Sequence, residues 1–217
     1  MDGNQRWAKF NKINNYQGYY AGLENIKKIA NLCIKNKIEN LTIYALSADN
    51  LKRKSINLIF SLMKNNYINF LNELKKDNKI KIQFIGNKLY LPKKIVYIID
   101  QIENNNQKNS QLNLNIAFNY HPDYELLNLV NKSIKKYKKE ISIKEINNIK
   151  KYRFLKDVPD PDILIRTGGY QRLSGFLLLN LAYTELFFTN TMWPDFNEIE
   201  FNKILAKFKK IKRNYGL

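Results

Sequence analysis

Arg166, Arg172 and Ser174 share one short Gly-rich segment, Asp162-Ile-Leu-Ile-Arg-Thr-Gly-Gly-Tyr-Gln-Arg-Leu-Ser174. A strand-like apolar run ends at Arg166, a Thr-Gly-Gly turn follows, and a second apolar run begins at Phe176. Two fork-shaped guanidiniums, a hydroxyl and exposed backbone N–H groups are what a doubly charged anion such as diphosphate requires. Three further clusters carry reactive side chains. Asp2-Gly3-Asn4-Gln5-Arg6-Trp7 reads as a loop that could hold Mg²⁺ through Asp2 and phosphate through Arg6, or as a solvated chain end. Ser47, Asp49, Asn50 and Arg53 could line a polar site, or form an ordinary helix N-cap. Glu185 stands in the apolar stretch Ala182-Tyr-Thr-Glu-Leu-Phe-Phe188, followed by Met192-Trp-Pro-Asp-Phe196. A buried carboxylate needs a metal ion or an internal partner. His121 is the only histidine and fits no catalytic triad, and neither Walker nor dinucleotide glycine patterns occur.

The elements that must present these residues alternate between helix and strand. Helical patterns cover Gly18 to about Lys37 (Leu23, Ile26, Ala30, Cys33 and Ile34 on one face), Ser55 to about Asp77 (Ile59, Met63, Tyr67, Phe70 and Leu74), Pro92 to Glu103, Pro122 to about Lys139 and more weakly to Leu155, and Asn197 to about Lys210. Pro92 is expected within the first helical turn. Strand patterns cover Asn40 to Leu46, Ile80 to about Gly86, Leu112 to Asn119-Tyr120, Ile163 to Ile165 and Phe176 to Leu179. Asn104-Asn-Asn-Gln107 reads as a loop, and Val158-Pro-Asp-Pro161 breaks the chain before the anion-binding segment. Alternating strands and helices predict an α/β single domain, with a mainly parallel central sheet flanked by helices on both faces. Functional groups in such sheets gather beyond the carboxyl ends of the strands. Ser47–Asn50, Asn119–His121 and Arg166–Gly169 all fall there.

The 217 residues suit one domain with a substantial core. No run of about 18 apolar residues occurs and no signal peptide follows Met1, which favours a cytoplasmic protein, with contact at the membrane surface left open. Cys33, the only cysteine, excludes an internal disulfide and a cysteine zinc site. The net charge of +18 fits nucleic-acid binding, attraction to anionic lipid or phosphorylated substrates, or the Lys-Asn-Ile bias of AT-rich coding. The run Lys135-Lys-Tyr-Lys-Lys139 reads first as a solvated helix end. No nucleic-acid-binding motif accompanies the charge, so no nucleic-acid partner is expected.

Taken in order, the clusters resemble the cis-prenyltransferase family, whose familiar bacterial member is undecaprenyl diphosphate synthase. Met1-Asp-Gly-Asn-Gln-Arg-Trp-Ala8 is similar to Met-Asp-Gly-Asn-Gly-Arg-Trp-Ala, and Tyr44-Ala-Leu-Ser-Ala-Asp-Asn-Leu-Lys-Arg53 to Tyr-Ala-Phe-Ser-Ser/Thr-Glu-Asn-Trp-x-Arg. Asp162 to Leu177 resembles Asp-Leu-x-Ile-Arg-Thr-x-Gly-Glu-x-Arg-Leu-Ser-Asn-Phe-Leu. Ala182–Phe188 and Trp193–Phe196 match Ala-Tyr-x-Glu-Leu-x-Phe and Trp-Pro-Asp-Phe.

The resemblance implies an isoprenyl transferase that adds isopentenyl diphosphate to an allylic diphosphate such as farnesyl diphosphate. The product is a Z-polyprenyl diphosphate, the precursor of the lipid carrier for cell-wall synthesis. It implies Mg²⁺, a homodimer, and a hydrophobic tunnel walled by the long helix from Ser55 and neighbouring strands. By the same resemblance Asp2 is the Mg²⁺-associated carboxylate, and Gly3, Asn4, Arg6, Trp7, Ser47 and Arg53 bind the allylic substrate. Asn50 positions the groups that receive the proton. Arg166, Arg172, Leu173 and Ser174 bind isopentenyl diphosphate, and Glu185 contributes to the metal site, from a partner subunit or through water.

Departures from the family pattern are also specific. Tyr19 replaces a His, Asn15 falls near an Arg position, Ala48-Asp49 replaces Ser/Thr-Glu, and Leu51 replaces a Trp. Asn119-Tyr-His-Pro-Asp123 stands for Asn-Tyr-Gly-Gly-Arg, Tyr170 for a Glu, Gly175 for an Asn, and Asn214-Tyr-Gly216 for Arg-x-Gly. Reduced activity or altered substrate preference is expected, with a non-catalytic subunit of a prenyltransferase complex as the limiting alternative. The family also has an apolar strand ahead of Met-Asp-Gly-Asn, so the expectation is one domain over 1–217 lacking that first strand, with a natural start upstream.

Overall fold

The computed structural model describes residues 1–53, 55–75, 79–106, 110–138 and 142–213. The expectations for Asp77, Gln107, Lys139 and Asn214–Gly216, and for the side chains of Phe70 and Leu74, lie outside the described residues.

Among the described residues all five strands pair in parallel. β1 (Asn40–Ser47), β3 (Leu112–Tyr120) and β2 (Ile80–Ile85) form one sheet in the order β1-β3-β2; β4 (Ile163–Arg166) and β5 (Glu185–Phe188) form a second. The expected central sheet is therefore present as three strands plus two. Parallel neighbours need crossovers, and the helices α3 (Ile56–Lys75), α4 (Lys93–Asn104) and α5 (Pro122–Tyr137) lie between successive strands in the chain, while α2 (Asn15–Lys35) precedes β1. α7 (Glu198–Phe208) follows the last strand.

Local sequence explains the boundaries. Asn14 accepts from the Gln17 N–H while the Gln17 side chain accepts from the Asn14 N–H, a capping box that starts α2 three residues before Gly18. Pro92 caps α4 from outside rather than entering its first turn. α4 shows the clearest periodicity: Ile95, Ile98, Ile99 and Ile102 are all nearly fully buried. Each such side chain contributes about 1.5–3 kcal/mol of transfer free energy.

Strand register fixes the two faces of the larger sheet. Ile43 and Phe84 flank Ile116, and this face packs on Ile26, Ile29, Ile98 and Ile99. The opposite face carries Ile85, Ala117 and Tyr120 against Leu155 and Leu177. The prediction of a sheet covered on both sides holds, but Tyr120 belongs to β3 rather than to a polar cluster beyond it.

Two expected elements are different. Asn4–Phe10 is a helix, α1, not a loop. Phe176–Leu179 is not a strand, because Ser174, Gly175 and Leu177 have φ of 49°, 77° and 49°, and a short 3₁₀ turn spans Leu178–Asn180. Positive φ cannot continue a strand, so the apolar run coils and buries Leu177 instead. The weak helical signal toward Leu155 becomes a 3₁₀ turn (Ile143–Glu145) and the one-turn helix α6 (Ile146–Lys150).

Candidate active site

The carboxyl end of β4 delivers Arg166 into a junction of distant segments. Its Nη2 donates to Asp2 Oδ2 at 3.0 Å, and its Nη1 donates to Ser174 Oγ at 3.0 Å and to the Arg172 carbonyl. Asp2 also pairs with Arg6, Oδ1 lying 3.4 Å from Nη2. The Arg166 side chain is only 15% exposed while that of Asp2 is 36% exposed, so the pair opens to solvent on the carboxylate side. That carboxylate, together with Arg6, Arg166 and the Ser174 hydroxyl, forms one polar cluster, as the sequence predicted for Arg166 and Ser174.

Residues 1–3 are tied down by the far half of the chain. The Asp2 N–H donates to Thr167 Oγ1 at 3.1 Å, and the Asp2 carbonyl accepts from Trp193 N–H at 2.9 Å. Gly3 then turns the chain into α1 at φ 103°, where a Cβ would stand 2.9 Å from Met192 Cβ. Both the left-handed conformation and the close approach require glycine. α1 lies against α2 at two further glycines; a Cβ at Gly22 would come within 2.4 Å of Asn4 Oδ1. Asn4 Oδ1 and Trp7 Nε1 are buried without a hydrogen-bond partner, which marks them as groups that a ligand could satisfy. Gln5 Nε2 donates to the Tyr19 hydroxyl at 2.8 Å, and both positions depart from the resembled motif, so two departures meet in one contact.

The turn after β4 corrects one expectation. Gly168 N–H donates to the Thr191 carbonyl and Gly169 N–H to the Thr189 carbonyl, each at 2.8 Å. These two amides are consumed in holding the turn and are not free to meet an anion. Tyr170, which follows the two glycines, lies 4.8 Å from Arg6 Cζ and 4.2 Å from Arg172 Cζ, measured to the ring centroid. Leu173 is half-buried and its carbonyl accepts from Phe176 N–H.

The β1 cluster sits nearby through aromatic packing. Tyr44 stacks on Phe176 with centroids 4.7 Å apart, and its hydroxyl donates to the Ser174 carbonyl at 3.5 Å. Burial pushes the Tyr44 hydroxyl up to about 12, keeping it a donor. Ser47 ends β1, and Asn50 lies in the 3₁₀ turn Ala48–Lys52 with Arg53 just after it. Among the described residues, no hydrogen bond or ion pair joins the side chains of Ser47, Asn50 or Arg53 to Asp2 or Arg166.

Glu185 is not brought to this cluster within the chain. It pairs with Ile163 at the start of β5, whereas Arg166 pairs with Phe188. The three-residue offset places it roughly 10 Å along the strand from the Arg166 level. His121 is structural: its Nδ1 accepts from Asp123 N–H at the start of α5. Thr167 was missed as a site residue although it grips both main-chain groups of Asp2; its only sequence signal was its place directly after Arg166.

An apolar cavity of about 130 Å³ adjoins the polar cluster. Met1, Asn4 and Trp193 line it, as do Leu23 and Ile26 of α2, Met63 of α3, and Phe84 and Ile116 of the sheet. It is close in size to the roughly 150 Å³ apolar cavity that admits benzene. A polar site with two or more cations at the mouth of an apolar cavity suits an amphiphile with an anionic head. Among the described residues no three His, Cys, Asp or Glu side chains group to hold a metal, so any divalent ion would rest on Asp2 together with ligand oxygens.

The family model "Putative undecaprenyl diphosphate synthase" matches residues 1–216. The isoprenyl transferase of Aquifex pyrophilus is 37% identical over 222 residues, spanning 100% of this chain and 93% of its own. The farnesyl-diphosphate-specific ditrans,polycis-undecaprenyl-diphosphate synthase of Coxiella burnetii is 35% identical over 228 residues, with coverage of 100% and 93%. Among solved structures, lavandulyl diphosphate synthase from Lavandula x intermedia, in complex with dimethylallyl diphosphate, superposes with a TM-score of 0.92 at 28% identity, covering 100% of this chain and 95% of that one.

Proposed function

The chain belongs to the undecaprenyl diphosphate synthase family and is a prenyl transferase, and from that premise we propose how its residues join isopentenyl diphosphate to an allylic diphosphate such as farnesyl diphosphate. The product is a Z-polyprenyl diphosphate, and its role is that of precursor to a cell-wall lipid carrier. The observation that carries the assignment of roles is the Arg166 guanidinium, which joins Asp2 to Ser174 and so couples two adjoining anion sites.

Arg166, Arg172, Leu173 and Ser174 receive isopentenyl diphosphate. Gly3, Asn4, Arg6 and Trp7, with Ser47 and Arg53, receive the allylic diphosphate, whose prenyl tail enters the cavity between α2 and α3. The buried, unpartnered Asn4 Oδ1 and Trp7 Nε1 support this placement. In the reaction the allylic C1–O bond breaks, isopentenyl C4 bonds to that C1, and a C2 proton leaves. Negative charge grows on the departing allylic diphosphate, where Arg6 acts as a prepositioned donor. Asn50 orients the groups that receive the proton.

Mg²⁺, when bound, supplies neutralisation of the leaving group. The solvent-open Asp2 carboxylate fits such an ion in the usual way, one carboxylate plus substrate phosphates. Glu185 serves the metal from a partner subunit or through water, consistent with its offset along β5.

We further propose a homodimer. Leu126, Val130 and Ile134 form an exposed stripe at fourfold spacing on α5, and Leu186 and Phe188 are exposed on the edge strand β5. No helix among the described residues is long and apolar enough to cross a membrane. A cytoplasmic enzyme touching the membrane surface agrees with the +18 charge and with the apolar character of its product.

The test is incubation of the purified protein with Mg²⁺, farnesyl diphosphate and labelled isopentenyl diphosphate. Labelled, solvent-extractable prenyl product is expected. A folded sample that yields none over hours would overturn the catalytic reading in favour of the non-catalytic subunit.

A further inference from the structure

Among the described residues, Tyr170 is the one aromatic side chain shared by the cations of the site. Its ring centroid lies 4.2 Å from Arg172 Cζ, 4.8 Å from Arg6 Cζ and 5.8 Å from Arg166 Cζ. All three distances fall within the range in which a cation is attracted to the ring quadrupole. The turn that places the ring is fixed: Gly168 and Gly169 each have φ of 85°, and their amides are bonded to Thr191 and Thr189. Gly168 also leaves room for Arg6, since a Cβ there would stand 2.7 Å from Arg6 Nη2. The ring itself is 41% exposed, so packing into the core does not account for its position.

Among the described residues, the one carboxylate paired with these three guanidiniums is Asp2, which reaches Arg6 and Arg166. With no anion bound, mutual repulsion drives them apart, and Arg172, exposed on its loop, has most freedom to leave. A carboxylate at position 170, as in the family pattern, would gather them but would also compete with an incoming diphosphate. An aromatic ring gathers them without cancelling their charge.

We infer that Tyr170 is a positioning residue, whose ring face holds Arg6, Arg166 and Arg172 in place and thereby sets the affinity of the site for diphosphate groups. It acts through the arginines and touches no phosphate itself. The hydroxyl is not required, since the attraction belongs to the ring face. The inference rests on the transferase reading for the identity of the ligand, and its test is built to be separable from that reading.

Isothermal titration of inorganic diphosphate is measured for the wild-type protein, Tyr170→Phe and Tyr170→Leu. The Phe variant is expected to bind within about twofold of wild type, and the Leu variant about tenfold more weakly, as expected for losing several partly exposed stacks. In the transferase assay the KM for isopentenyl diphosphate rises in the same ratio for Leu, kcat changes less than about twofold, and Phe restores both. Equal diphosphate affinity of the Leu and Phe variants, or a Phe variant as weak as Leu, overturns the inference, as does a wild-type protein that binds no diphosphate. If the binding order holds but no variant transfers a prenyl group, the stacking role stands and the transferase reading falls.

Discussion

Asp2 is held by groups from residues 6, 166, 167 and 193, each at a definite hydrogen-bonding distance and direction. The cavity beside it, lined by Met1, Leu23, Ile26, Met63 and Phe118 with Asn4 and Asn66 among its few polar groups, is defined mainly by volume and apolarity. At the polar end, removal of one group leaves another charge unpaired and the geometry collapses. At the apolar end, neighbouring side chains can repack, so substitutions tune what fits rather than whether anything happens. On the proposed reading the first region would decide whether a bond is made, and the second how long the product can become.

The sharpest way to break that contrast is Asp2→Ala. It should lower kcat by about 10³-fold, the scale of losing a key group that stabilises developing charge, while circular dichroism stays native. Turnover within tenfold of wild type would remove Asp2 from the chemistry. Arg166→Lys is the next largest. A lysine keeps one charge but cannot bridge Asp2, Ser174 and the Arg172 carbonyl together, so kcat/KM for isopentenyl diphosphate should fall about 100-fold. A loss of less than threefold would show that the fork geometry is dispensable.

At the apolar end, Met63→Trp should shift the product toward shorter chains while the rate of each addition changes less than about threefold, read by chromatography of dephosphorylated products. An unchanged length distribution would place the growing chain elsewhere. The smallest effect concerns Cys33, on the same helix as Leu23 and Ile26. Burial pushes its thiol from 9.0 up to about 12, so a thiol reagent at pH 8 should label it only after denaturant is added. The folded thiol stays protonated while the unfolded one ionises near 9, so this group contributes a loss of stability as pH rises from about 9 toward 12. Rapid labelling of the native protein would show α2 to be loosely packed.

The two regions also differed in how far the sequence revealed them. Arg166 and Ser174 were legible together because a strand run, a Gly-Gly turn and a hydroxyl eight residues on leave few other geometries. β1, β2, β3 and α4 were legible because alternation and 3.6-residue periodicity report burial directly. α1 was not: it has seven residues, no acidic residue in its first turn, and a glycine cap whose side chain can accept nothing. β5 was hidden because four residues are too few for a period to emerge, and the neighbouring run 176–179 carried the more strand-like composition. The Gly168 and Gly169 amides looked free because their acceptors, Thr191 and Thr189, lie some twenty residues further on. The family resemblance implied a tunnel beside the helix from Ser55, but its lining residues could not be singled out for a simpler reason: they are of the same types as the core.

The bonds from Asp2 to Thr167 and Trp193 have a consequence for how the protein is made. Asp2 and Thr167 are separated by 165 positions in the chain, and closing so long a loop is entropically costly until the intervening sheets exist. During translation the N-terminal residues therefore wait, undocked, until Trp193 has left the ribosome. A nascent or prematurely terminated chain lacks the backbone donor that orients its own Asp2, and it cannot begin prenyl transfer before nearly the whole polypeptide has been completed.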